Sequence, residues 1–398
     1  MQRGQRRAYD LLCTMLRLAL QMLTRDTGKY LALVVGLTFA TLLITQQGSI
    51  FLGLIKRSTG VLQNVGQPDL WVCDSRIQTV LEIRNMSDRD YDRVRTAPGV
   101  AWAEPFFSSR AVVELSDGAY KTAQLIGLDR STLIGQPPEM IEGRLDDLRA
   151  PDAILVDDSS RKRLAKELPG GELAFPKIGD TLRLNDRRAV IVGFCRAKLG
   201  FDSNAMLYTT MDNARRFTPL GREQIPFILV KVQEGKDVAQ VAAGITERTG
   251  LGAFTREQMI YKSTQFILTQ TGIGINFGTT VLLGFIVGLA VTAAIFYQFT
   301  LENLRHFAVF KAMGAKTGTL IGMVMLQAIT VGAIGFGIGS GLAGAFSLLG
   351  RQPGAELAPF FPWQLLLVCL GGMTICILLG SLLSIRKVVT LEPAVVFK

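Results

Sequence analysis

The chain has 398 residues, 48% of them hydrophobic, and a formal net charge of +10 at pH 7. Its single histidine, His306, excludes most His-based metal sites and a Ser-His-Asp triad in the long polar region, so no catalytic residue and no metal site is predicted. No HExxH, CxxC or GxxxxGK[ST] motif occurs, so the chain has no P-loop of its own, and the positive charge clusters beside apolar runs rather than pointing to nucleic acid.

Residues 1–29 carry Arg3, Arg6, Arg7, Arg17, Arg25 and Lys29 against Asp10 and Asp26. Tyr9, Leu12, Leu16, Leu20 and Leu23 recur there at helical spacing, which predicts an amphipathic helix over 6–24 in the inner interface. An apolar run over 30–55 follows. It exceeds the roughly 18–20 residues needed to cross the hydrocarbon core, and it is too long, with too long a leader, for a cleaved signal peptide.

Residues 56–272 read as one polar α+β domain, with two subdomains expected at about 61–115 plus 226–255 and about 116–225. Short β-branched or alternating runs predict strands over 69–73, 111–115, 122–128, 153–156, 181–184, 189–194, 205–209 and 227–232. Asn185-Asp186 reads as a hairpin turn. Helices are predicted over 87–96, with Ser87 as N-cap, and over 158–168 and 237–248. The charged stretch 256–266 reads as a helical stalk leading into the next span. Cys73 and Cys195 both fall in this domain, each in a strand-like run, and an oxidising compartment would permit a disulfide between them.

Three further spans are predicted at 273–299, 319–349 and 363–385, with a loop over 300–318, a short loop over 350–362 and a tail over 386–398. Arg305, Lys311 and Lys316 make the first loop basic, and Arg386, Lys387 and Lys398 do the same for the tail. Lys- and Arg-rich short loops stay cytoplasmic, which places both termini and 300–318 inside and 56–272 outside. Gly339-Ser340-Gly341-Leu342-Ala343-Gly344 matches GxGxxG, but it lies inside an apolar run with no strand before it. Gly335 with Gly339, Gly337 with Gly341, and Gly284 with Gly288 instead fit the small-xxx-small spacing that lets membrane helices approach closely.

The loop reads Thr300-Leu301-Glu302-Asn303-Leu304-Arg305-His306-Phe307-Ala308-Val309-Phe310-Lys311-Ala312-Met313-Gly314-Ala315-Lys316. Its first part is helical in pattern, Gly314 is a natural C-cap, and a new helix starts near Thr317. This stretch resembles the cytoplasmic coupling segment of FtsX-like and MacB-like ABC transporter permeases. The one-plus-three layout and the tail motif Leu391-Glu392-Pro393-Ala394 are similar too. So is the order Gly143-Arg144-Leu145, Ala153-Ile154-Leu155-Val156, Ile178-Gly179-Asp180, Val190-Ile191-Val192-Gly193-Phe194 in the inserted domain.

The resemblance implies a type VII, DevC-like permease without a fused ATPase. Its fold would be four transmembrane α-helices with a MacB-type periplasmic core domain between the first and second. Glu302, Asn303, Arg305, His306, Phe307, Phe310, Lys311, Met313 and Gly314 would meet a separate ABC ATPase subunit, which would bind the ATP and Mg that this chain does not. It further implies a homodimer in a bacterial inner membrane, working with membrane lipids, a membrane-fusion protein and an outer-membrane channel in an exporter. Permeases of the same architecture also release lipoproteins or control a cell-wall hydrolase, and the substrate is not legible in the sequence.

Overall fold

The computed structural model describes residues 21, 27–115, 118–167, 172–200, 205–218, 225–350 and 359–389. Apart from Gln21, the amphipathic helix expected over 6–24 lies outside them, as do residues 351–358 and the motif Leu391-Glu392-Pro393-Ala394. In chain order the elements begin with α1 (Thr27–Ser58), α2 (Gly60–Asn64), β1 (Leu70–Cys73), α3 (Asp88–Arg95), β2 (Val100–Glu114), β3 (Tyr120–Leu128), β4 (Glu139–Glu142) and β5 (Ala153–Asp157). The short β6 (Lys166–Glu167) and β7 (Leu173–Ala174) follow, then β8 (Thr181–Leu184), β9 (Arg187–Arg196), β10 (Ala205–Thr210), α4 (Met211–Phe217), β11 (Phe227–Val232), α5 (Val238–Thr249) and β12 (Gly252–Thr255). The last are α6 (Arg256–Gln270), α7 (Ile273–Glu302), α8 (Leu304–Ala312), α9 (Thr317–Leu349) and α10 (Trp363–Val389). Two compact units result: an inserted domain over Gly53–Gly274, and a helical unit built from α1 up to Leu52, from α7 to α9, and from α10.

The inserted domain is organised by a sheet in the order β12-β1-β11-β2-β3-β10-β5-β9-β4, with β8 pairing β2 and β9. β2 is long enough to serve both halves. Residues 100–106 pair with β11, and Phe107–Glu114 pair with β3. The sequence pattern predicts only the end of this strand, because Glu104 and Pro105 interrupt the apolar run; Pro105 is accommodated opposite Ile228.

β1 is buried on both faces, which is why Leu70-Trp71-Val72-Cys73 does not alternate. Leu70 and Val72 join Val94, Val230 and Ile245 in one core, while Trp71 and Cys73 face another. There Trp71 meets Phe106 and Phe227 edge-on at 5.3 and 5.8 Å between ring centres. A third core gathers Phe107, Leu125, Ile154, Leu207 and Phe217 around β3, β10 and β5.

Local chemistry fixes the turns. Asn185 and Asp186 take φ of 46° and 65°, the left-handed pair of a two-residue hairpin between β8 and β9. Ser87 caps α3 in a reciprocal box with Asp90. The helix expected over 158–168 does not form. A single 3-10 turn spans Asp158–Ser160, where the hydroxyls of Ser159 and Ser160 donate to the Asp157 carboxylate, and β6 follows. Side chains that bond locally in this way compete with helix continuation.

The disulfide that an oxidising compartment would permit between Cys73 and Cys195 is absent. Both cysteines are buried free thiols, and β11, β2, β3, β10 and β5 come between their strands in the sheet. Burial pushes the Cys73 thiol up to about 12 and moves that of Cys195 in the same direction.

Among the described residues four helices are long and apolar enough to cross a membrane: Tyr30–Ser58, Ile273–Glu302, Thr317–Leu349 and Trp363–Leu382. Glycine sets their spacing. A Cβ on Gly339 would lie 2.6 Å from the Thr38 carbonyl oxygen, one on Gly335 2.8 Å from Leu37 Cβ, and one on Gly288 2.6 Å from Ala40 Cβ. Gly36 and Gly380, which spacing did not single out, are equally tight against Val291 and Thr292. Gly284 makes only ordinary contact with Leu43, at 3.5 Å. Gly341, expected to pack, faces open space. At about 100° per residue it falls on the far side of α9 from Gly339.

Two predictions follow from these placements. Gly339→Ala should destabilise the folded protein in detergent by about 1–3 kcal/mol through overpacking, while Gly341→Ala should leave the melting temperature unchanged; thermal unfolding of both variants checks this. The second concerns Glu104, half-buried on β2, whose carboxyl is pushed up from 4.5 to about 7 by burial and then by Asp129, with Arg95 opposing. Because the folded pKa is the higher one, this group's stabilising contribution is complete below the unfolded value and is lost as pH rises through about 7. Glu104→Gln should therefore flatten the decline in stability between about pH 5 and about pH 8, measured by melts across that range.

Candidate functional site

The loop between the second and third spans folds as the nine-residue helix α8, separated from α7 by Asn303 and from α9 by a tight turn. The turn is a Schellman motif. Gly314 takes φ of +94°, its N–H donates to the Lys311 carbonyl at 3.1 Å, and the Ala315 N–H donates to the Phe310 carbonyl at 3.0 Å. A Cβ at this φ is strained, so glycine is the residue the turn requires.

One face of α8 is an anchor. Phe307 and Ala308 are fully buried against Leu320, Met323 and Val324 of α9, with Leu304, Phe310, Ala315 and Ile385 packed around them. Lys311 Nζ donates to the Val389 carbonyl of α10 at 3.4 Å, so the helix is tied to both of the following spans. The opposite face is open. Glu302, Arg305, His306, Met313, Gly314 and Lys316 are exposed, and Met313 keeps 70% of its surface. Gln298 Nε2 donates to Glu302 Oε1 at 3.3 Å, one turn back on α7.

The nine residues expected to meet a partner therefore divide. Glu302, Arg305, His306, Met313 and Gly314 share the accessible surface, whereas Asn303, Phe310 and Lys311 are half-buried. Phe307 does not belong in a contact set: its ring is sealed inside the helical unit and can only hold α8 in place. Val309, 39% exposed, and Leu301, 38% exposed, were not singled out from the sequence. Val309 lies four residues beyond Arg305 on α8 and Met313, at the C-cap, continues that spacing, while Leu301 belongs to the last turn of α7, before the break at Asn303. That spacing was the available signal, masked by the more conspicuous phenylalanines. Val309 on α8 and Met313 at its C-cap, both exposed and flanked by Arg305, His306 and Lys316, make a surface suited to an apolar, acid-rimmed groove. Among the described residues no group of three or more His, Cys, Asp or Glu could hold a metal ion.

The model of the MacB-like periplasmic core domain matches residues 31–248, and that of the FtsX-like permease C-terminal region matches 278–393. The chain belongs to the MacB- and FtsX-type family of ABC transporter permeases. Uncharacterized ABC transporter permeases of Mycobacterium bovis and Mycobacterium tuberculosis are 23% identical to it over 326 residues, which is 77% of this chain and 78% of theirs. The macrolide export ATP-binding/permease protein MacB of Shewanella oneidensis is 22% identical over 331 residues, 78% of this chain but only 48% of that longer one.

Among solved structures, the periplasmic region of MacB from Actinobacillus actinomycetemcomitans aligns with 53% of this chain and 97% of its own, at 16% identity and a TM-score of 0.38. The extracellular domain of the noncanonic ABC-type transporter YknZ from Gram-positive bacteria aligns with 47% and 99%, at 11% identity and a TM-score of 0.34. The assignment rests on the two family models, which between them reach both compact units. This ABC transporter permease is thus a membrane protein with four spans and an α+β domain between the first and second.

Phe307→Ala should cost about 3–5 kcal/mol by opening a cavity under α8, whereas Met313→Ala should leave stability unchanged. Thermal unfolding in detergent separates the two. Gly314→Val, which forces a β-branched residue to positive φ, should cost at least about 1–2 kcal/mol in the same assay.

Proposed function

We propose that this permease is the mechanical subunit of an ABC exporter, with α8 as the input where a separate ATPase pushes. The observation that carries this reading is the contrast between the sealed face of α8, centred on Phe307, and the open surface made by Arg305 and Val309 of α8, Met313 at its C-cap and Leu301 at the end of α7. A helix gripped by the spans on one side and free on the other passes displacement to those spans instead of absorbing it. Packed interfaces of this kind shift as rigid bodies because close-packed contacts resist deformation.

In this reading two copies work together, ATP and Mg are bound by the ATPase, and each copy places α8 in a groove on one motor subunit. The termini and α8 lie on the cytoplasmic side of a bacterial inner membrane, and the inserted domain lies outside. The motion reaches that domain along α1, which continues unbroken to Ser58, and through α7 and α6. The cargo is then expelled from the outer side, through a membrane-fusion protein and an outer-membrane channel. The scarcity of charge in the spans supports this, since a path through the bilayer usually needs ionisable groups along it.

The test is co-purification in mild detergent with the ATPase expressed beside it. Val309→Glu together with Met313→Glu should abolish recovery of the ATPase while the melting temperature holds, because both side chains are solvent-exposed. Full recovery of an ATPase with the doubly substituted protein, at undiminished ATP turnover, would remove α8 from the interface.

A further inference from the structure

The inserted domain carries a cleft that the coupling mechanism does not use. It lies between α6 and the segment after β1, and it is lined by Ser75, Arg76, Tyr261, Lys262, Gln265 and Phe266. Its walls are fixed. The Val80 N–H donates to the hydroxyl of the fully buried Ser263 at 3.2 Å, and Ile77 and Val80 are buried beneath the segment, so the cleft does not depend on a loose loop.

Its chemistry is two-sided. Tyr261 leaves 67% of its surface exposed on α6, and Phe266 lines the cleft further along the same helix. Two cations stand beside these rings. Arg76 is shared with Asp74 at 2.7 Å, but Lys262 forms no ion pair among the described residues, and its ammonium lies 4.4 Å from the centre of the Phe254 ring. Neither of the nearby carboxylates of Asp74 and Glu82 is committed to it, since they pair with Arg76 and Arg84 at 2.7 and 2.8 Å.

Chain connectivity ties one end of this cleft to the start of the second span. Thr269, which also lines it, precedes the start of α7 at Ile273 by four residues, at most about 14 Å of extended chain. The segment opposite α6 adds exposed Leu81 and Ile83, apolar surface of the kind that faces an interface.

We infer that this cleft receives an anionic amphiphile drawn from the outer leaflet, with its acidic headgroup on Lys262 and Arg76 and its acyl chain along Tyr261 and Phe266. Charge complementarity selects the headgroup, and burial of apolar surface holds the chain. As a cargo site the cleft rests on the export reading above, while binding itself does not require an ATPase.

The experiment uses the full chain in phosphatidylcholine nanodiscs containing a small fraction of phosphatidylglycerol with a photoreactive diazirine in its acyl chain. After irradiation, the labelled peptides are identified by mass spectrometry. Label should appear between Tyr261 and Thr269, and Lys262→Glu should reduce it about tenfold, as loss of one charge-assisted contact requires. Lys262→Gln, a milder change, serves as the second variant, with the melting temperature confirming that both are folded. A diazirine probe on phosphatidylcholine should label these residues only weakly.

Equal labelling by the two probes, label confined to the membrane helices, or unchanged labelling in Lys262→Glu would each overturn the inference. Recovery of the ATPase from the same preparations keeps the two ideas apart. Label without ATPase sinks the export reading and leaves the site; ATPase without label sinks the site.

Discussion

The inserted domain depends on the hydrogen bonding of one strand. β2 runs for 15 residues, joining β11 along its first half and β3 along its second, with β8 against its end. Remove those ladders and β12, β1 and β11 separate from β3, β10, β5, β9 and β4, because among the described residues no strand other than β2 joins the first group to the second. The strand also divides the apolar cores: Phe106 packs with Trp71 and Phe227, and its neighbour Phe107 packs with Leu125 and Phe217. A period of two along a strand sends adjacent side chains to opposite faces, so two consecutive phenylalanines supply two cores.

The same economy governs the helical unit, where there is no aqueous phase between helices to drive association. Close approach substitutes for it. Gly335 and Gly339 admit the backbone of α1 at distances no side chain would allow, and Gly288 admits Ala40 from the other flank. α8 is held by a more familiar device, an aromatic ring buried among aliphatic side chains. Its open ridge and its sealed face follow from one helical period, and that period is what turns a basic loop into a surface capable of receiving force.

In the inserted domain, burial governs the most enclosed titratable groups, whereas pairing governs less enclosed ones such as Asp74, held down to about 2 by Arg76. Cys73, Cys195 and Tyr208 are all raised by desolvation first, and Asp157 is raised in the same way despite hydrogen bonds from Ser159, Ser160 and the Ala197 N–H. Asp129 shows the opposite outcome. Burial would raise it, but donors from Ser131 and Thr132 hold it below the ordinary carboxylate range. Groups of both kinds lie within one domain, so its stability depends on pH in ways that total charge does not reveal.

The sequence alone determined whatever is local or statistical. Apolar length set the spans, Asn185-Asp186 set a hairpin, Ser87 and Asp90 set a helix start, and Gly314 set a helix end, because each depends on a few neighbouring residues. The order of motifs was enough to identify the family that the two domain models then showed. Pairings between distant segments needed the tertiary structure. Only the sheet order separated Cys73 from Cys195, only the packing of α9 on α8 moved Phe307 from contact to anchor, and only the approach of α1 distinguished Gly339 from Gly341. Spacing along a chain says which residues can share a face, but which face is covered depends on a partner element that only the tertiary structure brings up against it.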